Sequence, residues 1–150
     1  DVYKRQLMNN ILELHSLWAL PTLLVTLITI LKFLYSFISR KEFKTVDFRI
    51  ALITLIFNHI QLAIGIILYY TSPKFDWWSE GMSSVMSNSV YRQHLVEHPT
   101  INIIGVLIIT VGWSIHKKTN EDSKKFLRIG AFYFIGLILI LSRIPWENWL

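Results

Sequence analysis

Between His98 and His116 a set of chemically capable residues recurs at helical spacing. Counting along it gives His98, Asn102, Gly105, Ile109, Gly112 and His116, in steps of four, three, four, three and four. Those steps place all six on one face of a helix, with an imidazole at each end, an amide and two glycines between. His15 opens another apolar stretch, and His59 lies inside a third. Neutral imidazole is a common metal ligand and a proton acceptor near neutral pH. Arg92, Glu97 and Arg143 are charged residues that could serve these histidines.

The elements that carry these residues are set by composition. The chain has 150 residues, 53% hydrophobic and only 17% charged, against about 25% charged in a soluble domain. Four apolar stretches, near 14–38, 50–70, 100–116 and 126–144, approach the about 20 residues needed to span a bilayer. None alternates as a strand does, and an open sheet cannot satisfy its backbone in lipid. The predicted fold is therefore all-α, a single membrane domain built as a four-helix transmembrane up-down-up-down bundle. Residues 1–7 read as a non-native leader ahead of a start at Met8, and nothing is built on them. The third stretch is short for a span unless it continues back past Pro99.

Lysine and arginine set the expected orientation. The first connection carries Arg40, Lys41, Lys44 and Arg49, and the third carries Lys117, Lys118, Lys124, Lys125 and Arg128. The longer second connection holds only Lys74 and Arg92. The positive-inside rule puts connections one and three in the cytoplasm of a bacterial inner membrane, with both termini outside. Trp77, Trp78, Trp146 and Trp149 then fall in an outer aromatic belt. The second connection, 71–99, is an outer surface segment, with a short amphipathic helix suggested by Val85, Met86, Val90, Tyr91, Leu95 and Val96. The net charge of +5 is thus a topological signal, not a nucleic-acid footprint. The absence of cysteine excludes disulfides, iron–sulfur ligation and thiol catalysis. No Ser-His-Asp set, phosphate loop or dinucleotide fingerprint is present, and no catalysed reaction is assigned.

On this topology His15, His98 and Arg143 all lie near the outer ends of their helices, with Glu13, Arg92, His94, Glu97 and Trp146 at the same level. Helices one and three are diagonal in an antiparallel bundle, so His15 and His98 face each other. Two imidazoles from separate helices, with cationic side chains nearby for propionates, suit a haem. In this reading His15 and His98 are the axial pair, Arg143 or Arg92 holds propionates, Glu97 orients an imidazole, and Gly105 admits the macrocycle. The competing explanations are interfacial histidines at helix ends and, for Gly105 and Gly112, close helix packing.

His59 lies about 16 Å from the outer end of its helix by helical rise and points away from the stripe Thr54, Asn58, Gln61 and Gly65. It is a reserve ligand, a proton or quinone contact, or a histidine bonded to a neighbouring hydroxyl. His116, beside Lys117 and Lys118, reads as a solvated helix end. Asp47 and Glu42 read as solvated ion pairs or a cap, with Asp47 as N-cap of helix two. His94-Leu95-Val96-Glu97-His98 matches the H-x-x-E-H spacing of inverted zinc proteases, which offers a metal site at His94, Glu97 and His98.

Several segments carry a family likeness: Leu14-His15-Ser16, Phe57-Asn58-His59-Ile60-Gln61-Leu62 with Gly65, Tyr91-Arg92 with Val96-Glu97-His98-Pro99, and Ser142-Arg143-Ile144-Pro145-Trp146. Together they resemble small four-helix cytochrome-b-like membrane proteins of Bacteroidota, over nearly the whole chain from Met8. The resemblance implies haem b, with histidines at His15, His59 and His98 and with Arg143 and Glu97 nearby. The expected function is electron transfer, or an accessory role beside a respiratory complex or quinone in the lipid bilayer. The alternative is a small membrane subunit or assembly factor without cofactor.

Overall fold

The computed structural model describes all 150 residues, and every regular element is helical. Four helical runs are long and apolar enough to cross a membrane, as in a multi-pass membrane protein. Only 27 residues are buried, while leucines and isoleucines such as Leu24, Leu31, Ile53, Leu107 and Ile138 stay exposed. Water would penalise so much apolar surface; hydrocarbon does not.

Helix α1, Val2–Ile38, starts well before residue 14. Residues 1–7 are its exposed first turns, so they add nothing to the core. Helix α2, Thr45–Thr71, begins five residues before the expected span, and its N-cap is Lys44 rather than Asp47. Asp47 instead occupies the third helical position and accepts from the Lys44 backbone N–H at 2.9 Å. It is buried and also takes the Lys32 ammonium of α1 at 2.5 Å. The solvated reading of Asp47 therefore gives way to a buried carboxylate with a partner on the neighbouring helix.

After a 3-10 turn at Pro73–Glu80 and helix α3, Met82–Ser87, the chain enters a 28-residue run, Ser89–His116. It comprises α4 (Ser89–Arg92), a π-helical turn (Gln93–Glu97) and α5 (His98–His116). The end of the expected surface segment is thus an extension of the third long helix. Pro99 interrupts nothing, because the widened turn accommodates a residue with no N–H to give the preceding carbonyls. The Leu95 carbonyl is taken by the Tyr69 hydroxyl at 2.9 Å, and Trp78 Nε1 donates to that same hydroxyl at 3.0 Å. Helix α6, Asp122–Ser142, and the single turn α7, Trp146–Trp149, complete the chain.

Each long helix packs on two others: α1 on α2 and α6, and α5 on α2 and α6. The α1–α2 seam is polar. Lys32 meets Asp47, the Thr29 and Thr54 hydroxyls lie 2.7 Å apart, and Asn58 Nδ2 donates to Thr26 Oγ1 at 2.9 Å. Farther along, Trp18 Nε1 donates to the Phe57 carbonyl at 3.2 Å. The first three pairs advance along α2 as they retreat along α1, which fixes the register of the two helices. The α5–α6 seam, the most extensive, is built on glycine. A Cβ at Gly105 would lie 3.0 Å from the Gly136 carbonyl oxygen, and one at Gly136 would lie 2.8 Å from that of Gly105. Small residues let backbones approach in this way and gain dispersion contacts that lipid does not provide.

Candidate functional site

His15 comes from α1 and His98 from the first residue of α5, two helices that share no extensive interface. Their ring centroids nevertheless lie only 6.2 Å apart, with planes at 87°. His98 Nδ1 donates to the Arg143 carbonyl at 3.1 Å. A carbonyl only accepts, so in that bond Nδ1 carries the hydrogen and Nε2 keeps its lone pair, while Asn102 Nδ2, 3.2 Å from the same Nδ1, is spent on the His98 carbonyl. Asn102, one turn along α5, steadies the same residue by donating from Nδ2 to the His98 carbonyl at 2.7 Å. The C-terminus of α6 and the start of α5 thus hold the imidazole from two sides.

His15 is held from α2. Gln61 Nε2 donates to the His15 carbonyl at 2.9 Å and lies 3.2 Å from His15 Nδ1. Gln61 Oε1 is buried with no hydrogen-bond partner. The His15 carbonyl only accepts, so the nearer amide atom is the nitrogen; facing His15 Nδ1 as a donor, it makes Nδ1 the acceptor and leaves the ring hydrogen on Nε2. Gly65, one turn beyond Gln61, makes room for the ring: a Cβ there would lie 3.1 Å from His15 Cε1.

The residues expected around this pair divide. The Arg143 guanidinium is exposed, has no carboxylate partner, and sits on the residue whose carbonyl holds His98. Arg92 is engaged elsewhere: Nε meets Glu97 at 2.9 Å and Nη1 donates to the Met86 carbonyl at 2.7 Å. Glu97 accordingly serves Arg92, and the carbonyl of Arg143 orients the imidazole instead. Gly105 stands seven residues from His98, about 10 Å along the helix, closed against Gly136 and Ile140. It belongs to the helix seam and offers no slot for a macrocycle. Gly65 is the glycine at the histidines.

His59 is not part of the pair. It is exposed on α2, with Nε2 3.1 Å from the Thr110 hydroxyl of α5. His94 and His98 do not form a zinc-protease pair, because the π turn between them departs from the regular four-residue repeat. Both nitrogens of His94 are engaged, Nδ1 with the Val90 carbonyl at 2.9 Å and Nε2 with Asn148 Nδ2 at 3.1 Å. No group of three or more histidine and carboxylate side chains converges as a metal site, so His94, Glu97 and His98 do not assemble one. His116 is buried at 2% exposure, not solvated. Its Nδ1 bonds the Trp113 carbonyl, and its ring lies among Phe43, Phe48 and Trp113 at 4.7–6.0 Å.

Sequence reasoning missed Gln61 and Gly65 as partners of His15. Their signal was the polar stripe along α2, which continues straight to the outer histidines. Comparison with protein-family models, curated proteins and solved structures finds no match.

Proposed function

We propose that this chain is a b-type haem-binding protein of the bacterial inner membrane that carries electrons or serves a respiratory complex. In this reading the four long helices form an up-down-up-down bundle with both termini outside, oriented by the lysines and arginines at 40–49 and 117–128. The observation that carries the proposal is the His15–His98 pair, with ring centroids 6.2 Å apart. Two imidazoles on opposite sides of one metal ion, each bonded at about 2 Å, keep their ring centres about 6 Å apart. The donor set supports the reading further: neither Nε2 has a protein partner, and the Arg143 carbonyl holds His98 Nδ1.

His15 and His98 would hold the iron, and the exposed Arg143 would meet a propionate. Bound there, haem supplies a one-electron redox centre. The chain's own contribution is to fix two neutral imidazoles through Gln61 and the Arg143 carbonyl and to surround them with apolar helix.

A reduced-minus-oxidised absorption spectrum of the protein purified in detergent, from cells able to make haem, tests this. A Soret peak with a sharp α band is expected, lost in His15→Ala and in His98→Ala and kept in His59→Ala and His94→Ala. Absence of the Soret band from intact, folded protein after haem supplementation would sink the cytochrome reading. The chain would then be better explained as a cofactor-free membrane subunit, a second reading favoured by the internally satisfied α1–α2 seam.

A further inference from the structure

We infer that the outward-facing surface at His59, where α2 meets α5, is a binding site for a lipid-soluble molecule with a hydroxyl donor on its head, of the hydroquinone type. The inference is independent of any haem. It begins with the direction of one hydrogen bond. The Thr110 hydroxyl gives its proton to the Val106 carbonyl at 2.7 Å. Its oxygen is then the acceptor toward His59 Nε2 at 3.1 Å, so Nε2 carries the imidazole hydrogen. Nδ1 is left as a bare acceptor on an exposed side chain, with no protein group meeting it.

His59 lies at the middle of the 27-residue α2, about 20 Å from either end by helical rise. Water and lipid headgroups do not reach that depth, and an unpaired polar atom in hydrocarbon is costly. A second copy of the chain would not supply the missing donor. At comparable depth the exposed side chains include Leu24, Leu27, Ile56, Ile60, Leu107 and Ile135, which have no polar atom. Another His59 would present the same bare acceptor. The α2–α5 packing is the slightest of the four helix interfaces, and the small Ala63, one turn from His59, is exposed as well. The occupant that satisfies these conditions arrives through the lipid, has an apolar body and donates one hydrogen bond. A phenolic hydroxyl is a strong donor of that kind.

The test uses the full chain in lipid nanodiscs, labelled with ¹⁵N in its histidines, and titrated with a decyl-substituted hydroquinone kept reduced. Saturable movement of the His59 Nδ1 resonance is expected. The dimethyl ether of the same hydroquinone has the same shape and no donor, and it should bind at least tenfold more weakly. His59→Phe should weaken hydroquinone binding, followed by tryptophan fluorescence, by a similar factor. Equal binding of hydroquinone and ether to the unaltered protein would overturn the proposal, and that comparison needs no variant to fold. So would the absence of a saturable shift, or efficient cross-linking from position 59 to a second protein chain. Because His15→Ala and His98→Ala should leave this titration unchanged, its failure is separable from failure of the haem reading.

Discussion

Gly105→Ala separates a packing glycine from a cofactor slot, and its size follows from the α5–α6 seam. The added Cβ would meet Ile140 Cγ1 at 2.7 Å and the Gly136 carbonyl oxygen at 3.0 Å. The isoleucine can turn aside; the carbonyl belongs to a helix backbone and moves only if α6 moves. Overpacking a tight interior costs about 1–3 kcal/mol. Replacing glycine by alanine within a helix returns about 1 kcal/mol through backbone entropy. The net expectation is destabilisation by up to about 2 kcal/mol, read as reversible unfolding in mixed micelles titrated with a denaturing detergent. Gly136→Ala meets the reciprocal contact, with its Cβ 2.8 Å from the Gly105 carbonyl. Once one Cβ has parted the helices the second has more room, so the double variant should cost less than the sum of the singles. Stabilisation by Gly105→Ala, or strict additivity with Gly136→Ala, would refute the close-packed seam.

Further predictions concern other contacts. Asp47→Asn removes the buried acceptor of the Lys32 ammonium and weakens the start of α2. Allowing for the exposure of Lys32, the loss should be about 1–2 kcal/mol, and Lys32→Met with Asp47→Ala should restore much of it by removing both charges; a chemical-denaturation midpoint in detergent reports this. Tyr69→Phe leaves the Leu95 carbonyl and Trp78 N–H without their shared hydroxyl, which should cost about 1–3 kcal/mol. Faster amide exchange at 93–98 and around Trp78 would show it, and unchanged exchange would argue that solvent already satisfies both groups. His116→Phe should be tolerated within about 1.5 kcal/mol because the ring's neighbours are aromatic. His116→Lys should cost about 3 kcal/mol or more by burying an unpaired charge, whereas equal tolerance in a thermal melt would return His116 to solvent.

How much was legible depends on the range of the interaction. The four long apolar helices follow from composition, because lipid demands internally bonded backbone and rewards apolar side chains one residue at a time. The juxtaposition of His15 and His98 follows from depth and helix order, which need only helical rise and the sequence of turns. Partner choice was not legible. Gly105 reads equally well as a gap for a ligand or for another helix until Gly136 is known to lie opposite. His116 looks solvated beside two lysines, yet its side chain turns inward among rings from three segments. The H-x-x-E-H spacing implies a shared face only on a regular α-helix, and Pro99 lies where the helix widens into a π turn. Asp47 was read from its lysine neighbours in sequence, while its decisive partner, Lys32, sits on the preceding helix.

The polar seam between α1 and α2 also bears on what the membrane can hold. Its hydroxyl and amide side chains run from Thr54 through Asn58 toward Gln61 and His15, a route that might be taken for a proton wire. Each hydroxyl has already committed its single hydrogen: Thr22 to the Trp18 carbonyl, Thr26 to that of Thr22, Thr54 to that of Ile50, and Thr29 to Thr54. Asn58 stands between them as an amide, with no proton it can release and reclaim at ordinary pH. The seam therefore joins two helices with polar bonds whose hydroxyl hydrogens end on backbone carbonyls, so its threonines do not form a continuous hydroxyl-to-hydroxyl relay along the helices.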